Sequence, residues 1–406
     1  MAFWKRLFGG FGGDSRHTGT QNPAPTGGGA TAAPVTFDTA MQVSAFWASA
    51  RLLTETVSSM PLRCYDIDPN SGIKKPNSNY ELFRLINNRP NRYQTRIEFF
   101  ESLMLNLTTR GNAYSAISRT SDGEIYAIQP LLAAQMEVIL SANGDTEYHY
   151  TTADGNVRVF ASESIWHIKL FGNGVIGMSP LAYARNALGI AIALESRVTQ
   201  LTANGGKTTG VLMVDDKLKP EQRNQIRANY AGLTEGGSDS LFVLEGNMKY
   251  SQTSLSPADM QMIENRRFQV EDIARFMGVP SVLINDTAGT TAWGSGIEQI
   301  NMGFYKLNLR PYLERIEASL KRWLIPEEDW NSIEIEFDFD TLLRADMKTR
   351  MDGYSTAINS GQMTPNEARA KEGRENLDGG DQILVNGTLT PAAQAGQFTS
   401  GGANSE

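Results

Sequence analysis

Residues 89–119 read RPNRYQTRIEFFESLMLNLTTRGNAYSAISR, and the fold turns on how this stretch divides. Thr95 is placed as a helix N-cap, and Glu98, three residues on, completes a capping box. Each side chain then takes up a backbone N–H that the first turn leaves unpaired. Phe99, Phe100, Leu103, Met104 and Leu107 recur at helical spacing and mark one buried face. Gly111 ends the helix, since a left-handed C-cap suits a residue without a Cβ. Asn112–Arg119 then alternates, with Ala113, Ser115 and Ile117 as the smaller or apolar members. A strand therefore follows the helix after one glycine.

On the N-terminal side, a helix is expected from near Thr39 through AMQVSAFWASARLLTETVSSM, followed by a strand in PLRCYDID and a short helix over Tyr80–Asn87. On the C-terminal side, IYAIQPL, MEVIL, EYHYTTA and VRVFA read as further short strands. Residues 60–170 thus read as a mixed α+β domain built from antiparallel hairpins. His167, in SIWHIKL, reads as a strand histidine with a satisfied hydrogen bond.

Next, Ser179-Pro180 opens a helix that runs to about Ala203. It is rich in Ala, Ile and Leu and nearly uncharged until Glu195, so it calls for burial around most of its circumference. Neighbouring copies of the chain would supply that cover. Residues 207–255 read as a compact β-α-β-β insert: KTTGVLMVDD, a charged helix, then a hairpin turning at Gly246-Asn247. A second helix follows in SPADMQMIENRRFQVEDIARFMGVP, with Pro257 near its start and Gly278 and Pro280 closing it. Its Arg266, Arg267 and Arg275 read as partners of Glu264, Glu271 and Asp272. The stretch SVLINDTAGTTAWGSG is long and irregular, which marks a functional or disordered loop. A third long helix starts near Ser295–Gly296. Pro311 lies inside it and removes one ladder hydrogen bond, so a kink is expected near Asn308–Arg310. The strand IEIEFDFD and a small helical unit ending in MTPNEARAKEG complete the folded part, with Thr364 and Glu367 as another capping box.

The chain has 406 residues, enough for more than one domain, and its 40 % hydrophobic and 20 % charged content suits well-packed cores. A formal net charge of −8 argues against a tight, non-specific nucleic-acid binder. The single cysteine, Cys64, precludes an intramolecular disulfide. His17, His149 and His167 are too few and too scattered for a zinc cluster. Residues 1–35 and 386–406, rich in Gly, Thr, Ala and Pro, read as flexible arms. MAFWKRLFGGFGG has no apolar run of signal-peptide length, and as a membrane anchor it would bury little area. No stretch reaches the roughly 20 apolar residues of a membrane span.

Candidate chemistry is sparse. Alternation puts Glu334, Glu336, Asp338 and Asp340 on one face of IEIEFDFD, opposite Ile333, Ile335, Phe337 and Phe339. Such carboxylates could hold Mg²⁺ in a nuclease, but no Lys, His or further acidic motif stands at nuclease-like spacing. The other reading is a solvated strand face or a set of partners for arginines. The glycines of GNGVIG lack the Lys-Ser/Thr of a phosphate loop, and no GxSxG nucleophile motif is present. No catalytic, cofactor or metal residues are therefore assigned.

The ordered set of TFDTAMQVSAFWASARLLTETVSSMPLRCY, NRPNRYQTRIEFFESLMLNLTTRGNAYSAI, GMSPL, GVLMVDDKL, LSPADMQMIENRRFQVEDIARFMGVP, GSGIEQINMGFYKLNLRPYLERIE, MTPNEARAKEG and GGDQ resembles the portal proteins (head–tail connectors) of tailed bacteriophages, of the lambdoid siphophage type. The resemblance spans roughly residues 36–385. One departure is Ser281 after Pro280, where the family often has a second proline.

The resemblance implies a ring of about twelve copies at one capsid vertex, with double-stranded DNA passing loosely through its channel. The implied partners are the terminase large subunit, the major capsid protein and a head–tail adaptor, with no membrane. The implied location is the virion, after assembly in the host cytoplasm.

The parts it implies are an arm (1–35), a mixed α/β wing (36–177), stem helices (178–205 and 256–280) and a β-α-β-β clip (206–255). A tunnel loop (281–296), a long kinked helix with a wing strand (297–340), a helical crown (341–385) and a tail (386–406) follow. Thr287, Gly289, Thr290, Thr291, Trp293, Gly294 and Ser295 would form the DNA-channel loop, whose glycines move cheaply and whose hydroxyls present no charge to phosphate. Lys217, Lys219, Glu221, Arg223 and Arg227 of the clip would dock partners.

Overall fold

The computed structural model describes residues 35–141, 144–203, 211–213, 220, 221, 224, 249–251, 257–285, 295–339 and 347–384. The chain divides after Asp338 into two compact units.

In the first unit, the single helix expected from Thr39 is two helices, α1 (Phe37–Met41) and α2 (Ser44–Ser59). Thr36 caps α1 in a capping box with Thr39. Val43, extended at ψ 115°, interrupts the helix with no Gly or Pro to announce it. The break lets Ala40, Val43 and Phe46 all reach the core. Strand β1 (Leu62–Ile67) lies between β2 (Lys74–Pro76) and a strand from far along the chain, β11 (Ile333–Phe337), in an antiparallel sheet. Helix α3 (Glu81–Asn88) precedes α4 (Arg96–Arg110), which begins at the Thr95/Glu98 capping box and ends at Gly111 with φ 74°.

Every residue predicted for the apolar face of α4 is buried. That face joins the parts of the unit. Phe100 meets Phe337 of β11 edge-on, with ring centroids 5.3 Å apart, and Phe99 stacks on Trp166 at 6.2 Å. Burying each of these rings is worth about 1.5–3 kcal/mol. Trp166 belongs to β8 (Ile165–Lys169), which flanks β3 (Asn112–Arg119) opposite β4 (Ile125–Leu131). β3 is the central strand, so Asn112 to Ser115 are buried on both faces, beyond the simple alternation of the sequence. A third antiparallel sheet, β5 (Met136–Leu140), β6 (Thr146–Thr151) and β7 (Val157–Phe160), shares a core with it through Tyr114, Met136, Val138, Tyr148 and Ile165.

The helix predicted from Ser179 is also divided. The serine hydroxyl caps α5 (Pro180–Tyr183), then Ala184 leaves helical geometry at ψ 0° before α6 (Arg185–Ala203). Ala184 and Leu188 are fully buried. Of the insert, strands β9 (Val211–Met213) and β10 (Lys249–Ser251) pair antiparallel and Pro220, Glu221 and Asn224 are helical; the rest of the insert, with the Gly246-Asn247 turn, lies outside the described residues. Helix α7 (Pro257–Met277) packs beside α6 and closes at Gly278 with φ 67°.

The third long helix comprises α8 (Ser295–Gly303), a π-helical turn over Phe304–Leu309, and α9 (Arg310–Leu324). Pro311 sits in the first turn of α9. The irregularity expected at Asn308–Arg310 therefore takes the form of a π turn, whose wider hydrogen bonds absorb the missing proline donor.

The second unit contains α10 (Met347–Asn359) and α11 (Pro365–Lys371), the latter starting at the Thr364/Glu367 capping box. Asn366, only 3 % exposed, holds the chain that follows. Its side-chain amide donates to the Leu377 carbonyl and to Asp381, each at 2.9 Å, while its oxygen accepts the Leu377 N–H at 2.8 Å. Arg350 and Glu372 join α10 to the end of α11 at 3.1 Å.

Candidate functional site

The turn from α4 into β3 is built around Asn112. Its oxygen accepts the Gly177 N–H at 2.8 Å and its amide donates to the Gly177 carbonyl at 2.9 Å. This binds the GNGVIG segment, sixty-five residues on, to the start of β3. His167 lies between Asn112 and Tyr148, with Nε2 3.0 Å from the Asn112 oxygen and Nδ1 3.2 Å from the Tyr148 hydroxyl. The amide oxygen can only accept, so His167 carries its proton on Nε2 and Nδ1 accepts from Tyr148. Burial, with Lys169 nearby, pushes the His167 pKa well below the ordinary 6.5. The predicted satisfied strand histidine is borne out, and the GNGVIG glycines serve backbone packing. Gly111 and Gly177 pass so close that the Gly111 carbonyl and the Met178 carbonyl occupy the space a Cβ would need.

The acidic strand is tied into the first unit. Glu334 and Glu336 meet the Lys74 ammonium at 2.8 and 2.9 Å, and Asp338 meets Arg63 at 3.2 Å. Ile333, Ile335 and Phe337 fill the opposite, buried face. The carboxylates thus neutralise cations of β1 and β2. Asp340 lies outside the described residues, among which no group of three His, Cys, Asp or Glu residues could hold a metal ion.

The helix pair α6–α7 carries two of the expected arginine pairs. Arg267 meets Glu271 at 3.9 Å and Arg275 meets Asp272 at 2.7 Å, within α7. Arg266 reaches across to Glu195 of α6 at 3.8 Å, and the Glu264 side chain lies outside the described residues. Among the described side chains of the α5–α6 segment, Ala187, Leu188 and Ala191 are buried, while Ile190 is 49 % and Tyr183, in α5, 42 % exposed. On α7, Phe268 and Phe276 are exposed, and on the π turn Leu307 is 76 % exposed.

Ser281–Ile284 forms a 3₁₀ turn ending at Asn285 with φ 69°, and Ser295 is the first residue of α8; residues 286–294 lie outside the described residues. Thr287, Gly289, Thr290, Thr291, Trp293 and Gly294 lie outside the described residues, as do Lys217, Lys219, Arg223 and Arg227 of the insert. Glu221 is helical and exposed. No helix among the described residues is long and apolar enough to cross a membrane.

Sequence reasoning missed Asn112 and Lys74 as organising residues. Asn112 did stand out as the polar residue directly after the helix-ending glycine, but its partners are remote in sequence.

Comparison with known proteins agrees with this architecture. The family model described as phage portal protein matches residues 44–373. The portal protein of Enterobacteria phage HK97 is 35 % identical over 359 residues, covering 88 % of this chain and 84 % of that protein. The probable portal protein of Streptomyces phage phiC31 is 31 % identical over 393 residues, covering 92 % and 85 %. Among solved structures, a chain from the neck of an empty GTA particle, computed with C6 symmetry, superposes with a TM-score of 0.60 at 25 % identity, covering 87 % of this chain and 98 % of that one.

Proposed function

The chain belongs to the phage portal protein family, and on that premise we propose that it forms a ring at one capsid vertex, the conduit through which DNA enters and leaves the head. The observation that carries this reading is the continuity of the family match. It runs from α2 through all four described sheets and the long helices into α11 of the second unit. The role is structural rather than catalytic.

The finer assignments follow in the same order. The sheets and α4 form the wing, and the Asn112 node locks its helix to its strands. Helices α6 and α7 form the stem, and a ring of about twelve copies covers the apolar residues that one chain leaves exposed on them. The insert 206–255 is the clip that docks the terminase large subunit and later the head–tail adaptor, while the wing meets the major capsid protein. The loop between Asn285 and Ser295 faces the DNA, and the second unit is the crown. The subunit assembles in the host cytoplasm and ends in the virion. A net charge of −8 per copy suits a conduit. Each phosphate neutralised by a channel lysine or arginine would add affinity that opposes sliding.

The test is complementation of a phage that lacks its portal. Capsids made with this chain should carry it at one vertex and package DNA. Undiminished DNA packaging by capsids made without it would refute the reading.

A further inference from the structure

Among its described residues the second unit buries little apolar surface: between residues 350 and 384 the buried positions are Asn366, Ala368 and Gly380, so the largest buried apolar side chain there is an alanine. Between α10 and α11 runs an open groove of about 460 Å³, floored by Met351, Ile358, Pro365 and Leu377 and rimmed by Arg369 and Arg374. The Arg369 Nε donates to the Glu375 carbonyl at 2.7 Å, a contact that leaves its charge uncompensated. Among the described residues, neither rim arginine is in an ion pair.

The same unit carries the complementary shape. Ile383 and Leu384 are 63 % and 51 % exposed, forming an apolar projection just past the turn that Asn366 holds. Asp378 and Asp381 precede it in the chain, both exposed. The groove is thus apolar with a cationic rim, and the projection is apolar with acidic neighbours. Such a projection seated in the groove of another copy makes a head-to-tail contact, which closes into a ring when the rotation allows.

We infer that the Ile383–Leu384 projection of each copy seats in the α10–α11 groove of the adjacent copy, with Asp378 and Asp381 against Arg369 and Arg374. This contact rests on the ring reading above and names a specific interface for it. It covers the Ile383 and Leu384 side chains, which one copy leaves exposed.

The test uses two differently tagged full-length chains in a Cys64→Ser background. One carries Ile358→Cys and the other Ile383→Cys. The two are co-expressed, and the assembled rings are purified, checked by electron microscopy and treated with a short bismaleimide. The expected product is a covalent dimer containing both tags, absent when either chain is assembled alone. Asp378→Lys on the Ile383→Cys chain should lower its yield, and Arg374→Asp on the other chain should restore it. Intact rings without the mixed dimer overturn the inference and leave the ring reading standing. In that case, an internal cross-link in a single chain carrying both cysteines would show that the groove is filled by the chain's own projection. Absence of rings from the parent chain overturns the ring reading and this contact with it.

Discussion

Replacing Gly111 with alanine tests the turn from α4 into β3 most severely. Gly111 adopts φ 74°, where a Cβ costs roughly 1–2 kcal/mol. Its Cβ would also collide with the Met178 carbonyl, which is backbone and cannot rotate away. Relief requires the two chain segments to separate. That puts at risk the bond from the Leu170 N–H to the Gly111 carbonyl at 2.9 Å and the Asn112–Gly177 pair at 2.8 and 2.9 Å. At about 1 kcal/mol for each of these three bonds, the total is about 4–5 kcal/mol. Gly155 provides the control, since it has φ 79° with nothing within 4 Å of its Cβ position. Gly155→Ala should therefore cost only the conformational part, about 1–2 kcal/mol. The assay is urea unfolding followed by intrinsic fluorescence, at one protein concentration because assembly shifts apparent stability. With a slope of about 3 kcal/mol per molar, Gly111→Ala should lower the midpoint by about 1 M or more, and Gly155→Ala by clearly less. Equal shifts for the two variants would refute the close-approach argument.

Other outcomes follow from the same structure and from the family reading. His167 is held neutral, so below its unfolded pKa of 6.5 the unfolded chain binds the extra proton and the folded chain does not. Stability should thus fall as the pH drops below 6.5, and His167→Gln should flatten that part of the profile; an unchanged slope would count against a buried neutral imidazole. Deleting residues 216–236 should abolish binding to the terminase large subunit while leaving the near-ultraviolet circular dichroism of the wing intact, and retained binding would remove the docking role. Trp293→Ala should impair DNA packaging or retention without preventing ring assembly, and wild-type packaging would leave residues 286–294 as a connector only.

Local signals in the sequence were sufficient wherever the chemistry is local. The capping boxes at Thr95/Glu98 and Thr364/Glu367, the proline starts at Pro180 and Pro365, and the left-handed Gly111 all hold in the structure. Each depends on residues within four positions of one another. The breaks at Val43 and Ala184 were not legible, because neither residue disfavours a helix; burial of Ala40, Val43 and Ala184 against the rest of the unit sets them. Pro311 signalled an irregularity, but not that it would take the form of a π turn upstream of the proline. The pairing of Lys74 with Glu334 and Glu336 could not be read either. It requires β11 to join β1 across more than half of the chain, and that register follows from Leu62, Cys64, Ile333, Ile335 and Phe337 sharing a buried face.

The central claim is that this chain assembles into a closed ring. Electron microscopy of the purified full-length protein, with particle mass measured on the same sample, tests it most directly. The expected result is a ring with a central opening, a rotational symmetry of about twelve and the matching multiple of 44.6 kDa. A monodisperse 44.6 kDa monomer at micromolar concentration across several salt conditions would contradict it.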